Sequence, residues 1–397
     1  MTERGPNHLP APASPRGPGA AAGLALALLA LPLALAAAVP LSARAGPSAS
    51  FSGSVYVDSW VIPKSAGNVR GTQGITTDGS IKLGIDINDN LSFSAKACLS
   101  CHGVEFENAS LDYAPRQWFN VQVGRIAVPF GEFSNRVDQS GHKTTSAPLI
   151  YDMGRMAYGD RSNFNGPVLM LPYVDTGALV YGQFFLGSRV QVWYGGYAVA
   201  GLKGAADVEW MASRSVPYSD NNRLPSYGGR LAATLITEPG WFIGDASLGF
   251  SYTGGRFDKD ARLQYDAAAV DAALPILGAT LRGEYALRRT HLDPAAKGYG
   301  FTVVDPFFDK AGFYAELEHP LGRWIAMVYR YDQLTRKGVP LPGSAAAMTP
   351  DSRLSRYTGG LVLTPASSLY LKLSYEYWIP SDYARFHSGH VGIGGAF

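Results

Sequence analysis

The sequence predicts an all-β protein, a transmembrane antiparallel β-barrel of about 16 strands with one long loop folded inward. Three observations predict it: an apolar–polar alternation of period two running from residue 51 to the end of the chain, a regular exchange of short turns with long connections, and an export segment ahead of the first strand. Composition removes the competing classes. Charged residues make up 17% of the 397 residues, while 46 glycines, 22 tyrosines and 18 phenylalanines run high, which excludes a disordered chain or a coiled coil. Two cysteines are too few for a disulfide framework, and beyond residue 45 no apolar run reaches the length of a membrane-spanning helix.

Residues 1–45 read as a secretory signal peptide. Arg4 and Arg16 precede the apolar stretch Ala20 to Leu41, which ends at Ala43-Arg44-Ala45, an A-x-A cleavage pattern. A membrane anchor is the alternative that length allows, but the alanine richness, Pro32 and the A-x-A site favour removal. Removal takes away Arg4, Arg16 and Arg44 against Glu3, so the mature residues 46–397 carry 31 basic and 31 acidic side chains and no net charge. Apparent basicity therefore belongs to the export signal, and nothing points to nucleic acid.

Strands follow from the alternation. Ile81, Leu83, Ile85 and Ile87 alternate with Lys82 and Asp86; Leu371, Leu373 and Tyr375 alternate with Lys372 and Glu376; Met327, Tyr329 and Tyr331 alternate with Arg330 and Asp332. Starts fall near residues 51, 79, 90, 103, 118, 174, 188, 226, 241, 260, 277, 311, 323, 354, 368 and 386, with 14 or 18 strands as neighbouring possibilities. Asn88-Asp89-Asn90, Ala114-Pro115-Arg116 and Leu186-Gly187-Ser188 make short turns at one rim, and long connections near 63–78, 129–173, 201–225, 292–310 and 337–353 lie at the other. Val391, Ile393 and Phe397 share one face of the final strand, and the chain stops on an aromatic residue as outer-membrane barrels commonly do. Bacterial outer membrane, with its lipid as the surrounding solvent, is the location this implies.

Polar strand phases point inward and give the lumen. Lys82, Lys96, Arg125, Arg330 and Lys372 are the expected pore-lining residues, with Arg189 and Asp245 as further lumen candidates. The segment Val121-Gln122-Val123-Gly124-Arg125-Ile126-Ala127-Val128-Pro129-Phe130-Gly131, preceded by Ala109-Ser110-Leu111-Asp112-Tyr113, resembles the strand-into-loop signature of the phosphate-selective porin family. That resemblance implies a sixteen-stranded porin, often trimeric, whose loop after Phe130 folds inward as a constriction. No counterpart of the family's lysine-rich binding arrangement is found, so phosphate specificity is not carried over.

Both cysteines fall in one motif, Cys98-Leu99-Ser100-Cys101-His102, the C-x-x-C-H pattern that attaches c-type haem. Two thiols three residues apart add to the two vinyl groups, and His102 reaches the haem iron as its proximal ligand. Cys98 continues the inward phase of its strand, so the haem would lie against the lumen wall near the outer mouth. Candidates for the distal position are His142, Met153 and Met156 in the long loop, and His390 on the inward phase of the last strand. A local Cys98–Cys101 disulfide is the competing reading in an oxidising compartment.

Two functions follow. In the first, the barrel holds one haem c and relays electrons between periplasmic and extracellular cytochromes or other redox partners, as the monohaem cytochrome–porin fusions it resembles do. In the second, it is a solute-diffusion porin, with anions as the candidate selected class and Cys98 and Cys101 paired or idle. A hydrolytic enzyme is not indicated, since neither G-x-S-x-G nor H-E-x-x-H occurs.

Overall fold

The structure, a computed structural model, describes residues 47–61, 74–100, 103–152, 167–204, 224–238, 240–293, 305–338, 351–381 and 384–397, together with residues 207, 220, 222, 302–303 and 340–341. The expected export segment lies outside the described residues. The strands are β1 (Ser48–Val61), β2 (Gly74–Asn88), β3 (Leu91–Ser100), β4 (Gly103–Arg116), β5 (Phe119–Ala127), β6 (Val174–Leu186), β7 (Val190–Val199), β8 (Ser226–Leu235) and β9 (Ala246–Arg256). They continue as β10 (Gln264–Ile276), β11 (Ala279–His291), β12 (Thr302–Val303), β13 (Phe307–Pro320), β14 (Ile325–Lys337), β15 (Pro340–Leu341), β16 (Ser352–Ala366), β17 (Leu369–Pro380) and β18 (Phe386–Ala396).

All but β12 and β15 close into one antiparallel barrel of 16 strands, each paired with its neighbour along the chain. Each barrel strand begins within five residues of where the alternation places it. Closure joins the two ends: β1 pairs with β18 from Ser54↔Ala396 to Val61↔Gly389. Beyond that ladder, the Gly53 N–H donates to the Phe397 carbonyl at 3.1 Å and the Phe397 N–H returns a bond to Gly53 at 2.9 Å. A closed barrel leaves no strand edge unpaired, which is what a hydrocarbon surrounding demands of the backbone.

Period two sorts the side chains. On β17, Tyr370, Lys372, Ser374, Glu376 and Trp378 point inward and are buried, while Leu373 and Tyr375 face outward. Val123, Val180, Leu231, Leu248, Val270 and Ile393 continue the outer apolar belt. Near the short-turn rim, Trp118, Phe119, Phe184, Trp241, Phe242 and Trp324 are exposed, an aromatic girdle of the kind that sits at a membrane interface. One feature departs from expectation. The 292–310 and 337–353 connections pair through β12 and β15 as a small ribbon. On the same rim, β3 and β4 are joined by two residues only, because the ladder runs to Ser100↔Gly103.

Candidate functional site: the lumen and its infolded loop

After β5 the chain turns into the barrel and returns at β6. The neck is tied by the Val128 N–H donating to the Tyr173 carbonyl at 2.8 Å. From there the loop crosses to the far wall. The Gly131 N–H reaches Ser251 on β9 at 3.0 Å, and a 3-10 helix, Phe133–Arg136, puts Arg136 3.1 Å from Glu316 on β13. Asp138 swings to the near wall, 2.8 Å from Lys82 on β2 and 2.5 Å from Lys96 on β3. The loop then runs along β14 to β17: Thr145 N–H donates to Ser374 at 3.1 Å, Leu149 N–H to Asp332 at 3.1 Å, and Asp152 pairs with Arg356 at 3.2 Å.

Apolar loop residues make this attachment a packed core. Phe130, Phe133, Leu149, Ile150, Val168 and Leu169 are fully buried against inward residues such as Tyr265, Ala267, Ala286 and Tyr314. The wall beneath is a ladder of alternating charge. Glu316 meets Arg330 at 3.4 Å, Arg330 meets Asp332 at 2.9 Å, Asp332 meets Arg356 at 3.0 Å, Arg356 meets Glu376 at 3.5 Å and Glu376 meets His390 at 3.3 Å. Buried charges survive only when paired in this way.

Among the described residues, most loop contacts fall on the β9 to β17 side. A cavity of 360 Å³ lies between the loop and the inner face of β3 to β7, lined by Lys96, Glu107 and Asn108 on one side, Tyr181 and Trp193 on the other, and Ser134, Asn135 and Asp138 from the loop. Lys96 pairs with both Glu107 and Asp138. Burial alone would raise the Asp138 carboxyl, but the Lys96 and Lys82 ammonium groups outweigh it and hold the group below the usual carboxylate range.

Expected pore residues divide by place. Lys96 lines the cavity, and Lys82 faces the lumen beside Asp138. Arg330 and Lys372 point inward but lie under the loop, where Arg330 binds Thr144 and Ser146 and Lys372 binds the Thr144 carbonyl; they anchor the loop and do not border open space. Arg125 corrects the expectation. It pairs with Ala109 and Thr176 on the outward phase of Val121 and Val123, with Gly124 and Ile126 inward, because the alternation continues through Val-Gly-Arg without a break. Arg189 and Asp245 sit beside short turns, bonded to Glu238 and Thr237, outside the constriction. Sequence reasoning missed Trp193, Tyr181 and Gln122, whose inward phase on β5 to β7 was the available signal.

Of the haem motif, Cys101 and His102 lie outside the described residues, as do Met153 and Met156. Cys98 is half-buried, on the inward phase, with its thiol bonded to the Glu107 carboxylate. Cys98, Leu99 and Ser100 are extended and laddered to Glu105, Val104 and Gly103. Residues three apart in a continued strand would face opposite ways, so two C-x-x-C thiols on one haem edge would require the chain to leave strand geometry after Ser100. His142 is buried in the packing of the loop itself: its Nδ1 contacts the Arg136 and Asp138 carbonyls at 2.9 and 3.0 Å, its ring lies on Phe133, and it is not among the cavity-lining residues. His390 is buried on the inward phase, its Nε2 2.8 Å from Ser388 Oγ and 3.3 Å from Glu376. Serine and carboxylate share one ring nitrogen there, so the imidazole cannot relay a proton between them as a Ser-His-acid triad requires.

No family model matches the chain, and no curated protein matches it by sequence. Solved structures do match its fold. The anion-selective porin from Comamonas acidovorans superposes with a TM-score of 0.56 at 15% identity, over 88% of this chain and 100% of that one. OmpF of Salmonella typhi, solved with daunomycin, gives 0.54 at 11% over 89% and 98%, and the trimer form of OmpT from Vibrio cholerae gives 0.51 at 10% over 89% and 100%. In fold, the chain is a porin-like 16-stranded barrel of the bacterial outer membrane.

Proposed function

We propose that the chain is a solute-diffusion channel in which small hydrophilic solutes pass between the infolded loop and the inner face of β3 to β7. The observation that carries this reading is the 360 Å³ cavity between the described part of the loop and the inner face of β3 to β7, with charged and amide side chains among its lining. Its lining charges balance, with Lys96 against Glu107, and Lys82 and Lys96 about Asp138, so the path discriminates weakly between small cations and anions. The Comamonas porin is anion-selective; the wall here has no excess of cationic groups left unpaired at the cavity to favour the same outcome. Because OmpT of Vibrio cholerae takes a trimer form, a homotrimer is the proposed assembly. Purified protein added to a planar bilayer should insert as ion-conducting steps, in groups of three for a trimer, and protein that inserts without conducting would refute the reading.

A second reading rests on the motif. One haem c held by Cys98, Cys101 and His102 would supply one-electron chemistry at the outer end of the lumen, with cytochromes on either side as redox partners. The pattern and the inward phase of Cys98 favour it; the extended ladder of Cys98 to Ser100 weighs against it. Covalent haem on the wild type, lost in Cys98→Ala, would support it, and an exported protein free of haem stain would end it.

A further inference from the structure

We propose that the cavity beside β3 to β7 is a binding subsite for an uncharged polyhydroxylated solute of mono- or disaccharide size, an inference that rests on the channel reading above. At 360 Å³ the cavity falls at the small end of the range, roughly 300–1,000 Å³, that encloses small-molecule ligands. Its two sides differ in chemistry. Tyr181 and Trp193, with Tyr173 at the neck of the loop, give one aromatic side; Asn108, Ser134 and Asn135 give amides and a hydroxyl opposite. A sugar ring has the same two-sidedness, an apolar C–H face and a rim of hydroxyls that both donate and accept. The aromatic faces match the first and the amides the second.

Charge argues for a neutral occupant. Lys96 is held by Glu107 and Asp138, and Asp138 by Lys82 as well, so an ionic solute would have to break an existing pair to gain one. One acceptor is left over. Asn108 donates through Nδ2 to Ser94 at 3.3 Å, while its buried Oδ1 has no hydrogen-bond partner. Asn108 lines the cavity with this oxygen turned out of reach of water, and a rotation of the amide about its last side-chain bond would bring Oδ1 to a solute hydroxyl. Tyr181 is fixed in place by donating to Asp112 at 2.6 Å, which leaves its oxygen able to accept.

The test uses full-length protein in planar bilayers in KCl, with sucrose as the probe and a polyethylene glycol of similar mass as the viscosity control. Sucrose should reduce the current along a saturating curve and the glycol only in proportion to viscosity. Trp193→Ala and Asn108→Leu should each raise the half-blocking concentration, roughly tenfold for the loss of an aromatic stacking partner. Trp241→Ala, on the exterior at the short-turn rim, should block like the wild type. Any variant that conducts is folded, so a failure of one of the two cavity variants to insert leaves the other to decide. Sucrose acting only as the glycol does would overturn the subsite while the channel stands, as would phosphate blocking where sucrose does not. Absence of KCl conductance would instead remove the channel reading itself.

Discussion

Gly131 shows how much of the constriction hangs on single residues. Its φ of +71° is open to glycine, and a Cβ there would strike the Glu284 carboxylate on β11 and the loop's own Tyr151 hydroxyl, which donates to that carboxylate. Gly131→Ala should therefore cost about 1–3 kcal/mol of loop attachment. Purified protein should show it as a lower thermal midpoint and a noisier open current; unchanged values for both would refute the assignment. Asp138 acts at the opposite wall. Its depressed carboxyl stays ionised to below about pH 4, so its tether to Lys82 and Lys96 is complete at neutral pH and is lost only as acid passes that lowered value. Asp138→Asn should change the conductance at neutral pH, and the difference between wild type and variant should hold constant down to about pH 4 and vanish below it. Lys82, Lys96, Arg330 and Lys372 were legible as inward from alternation alone. Whether a lysine borders water or lies beneath a loop was not, because that depends on contacts between residues some 230 positions apart, as in Lys372 with Thr144.

At the scale of elements, the barrel strands were readable because each has one face in lipid and one in the lumen, and the period-two pattern records both. The loop has no such period. Its inward course follows from Phe130, Phe133, Leu149 and Ile150, apolar residues in a segment the pattern marks only as long and polar. The resemblance in Val121 to Gly131 supplied that expectation; composition did not. The β3–β4 hairpin was legible as a tight connection, but the conformation of Cys98 to Ser100 depended on how far its ladder extends. His142 makes the loop's packing measurable. Burial, then the Lys372 charge, pushes its imidazole well below the ordinary value, so the folded loop holds it neutral. Above about pH 6.5 both folded and unfolded chains carry it uncharged; below that the unfolded chain takes up the proton first, and the folded state loses stability until the depressed value is reached. Thermal midpoints in detergent should fall for the wild type between about pH 7 and pH 5, and less for His142→Gln. A difference that does not vary with pH would show that His142 is not the source.

Over the whole molecule, charge is balanced at every level at which it can be summed. The chain beyond residue 45 is neutral, the wall from β13 to β17 alternates in sign, and the open side of the lumen sets two lysines against two carboxylates. A narrow path between low-dielectric walls amplifies any imbalance, so near-neutrality has a direct electrical consequence. A perfectly selective pore in a tenfold salt gradient develops about 59 mV; this one should reverse within a small fraction of that. Single substitutions at the cavity should then act in opposite directions. Asp138→Asn removes one negative charge and should move the reversal potential to the anion-selective side, while Lys96→Met should move it to the cation-selective side by a similar amount. Both side chains line the cavity, whereas Arg330 and Arg356 are neutralised beneath the loop and do not face it. If conduction instead ran along β13 to β17, where the ladder lies, Asp138→Asn and Lys96→Met would leave the reversal potential where it was. The pair of shifts thus reports which side of the loop ions use.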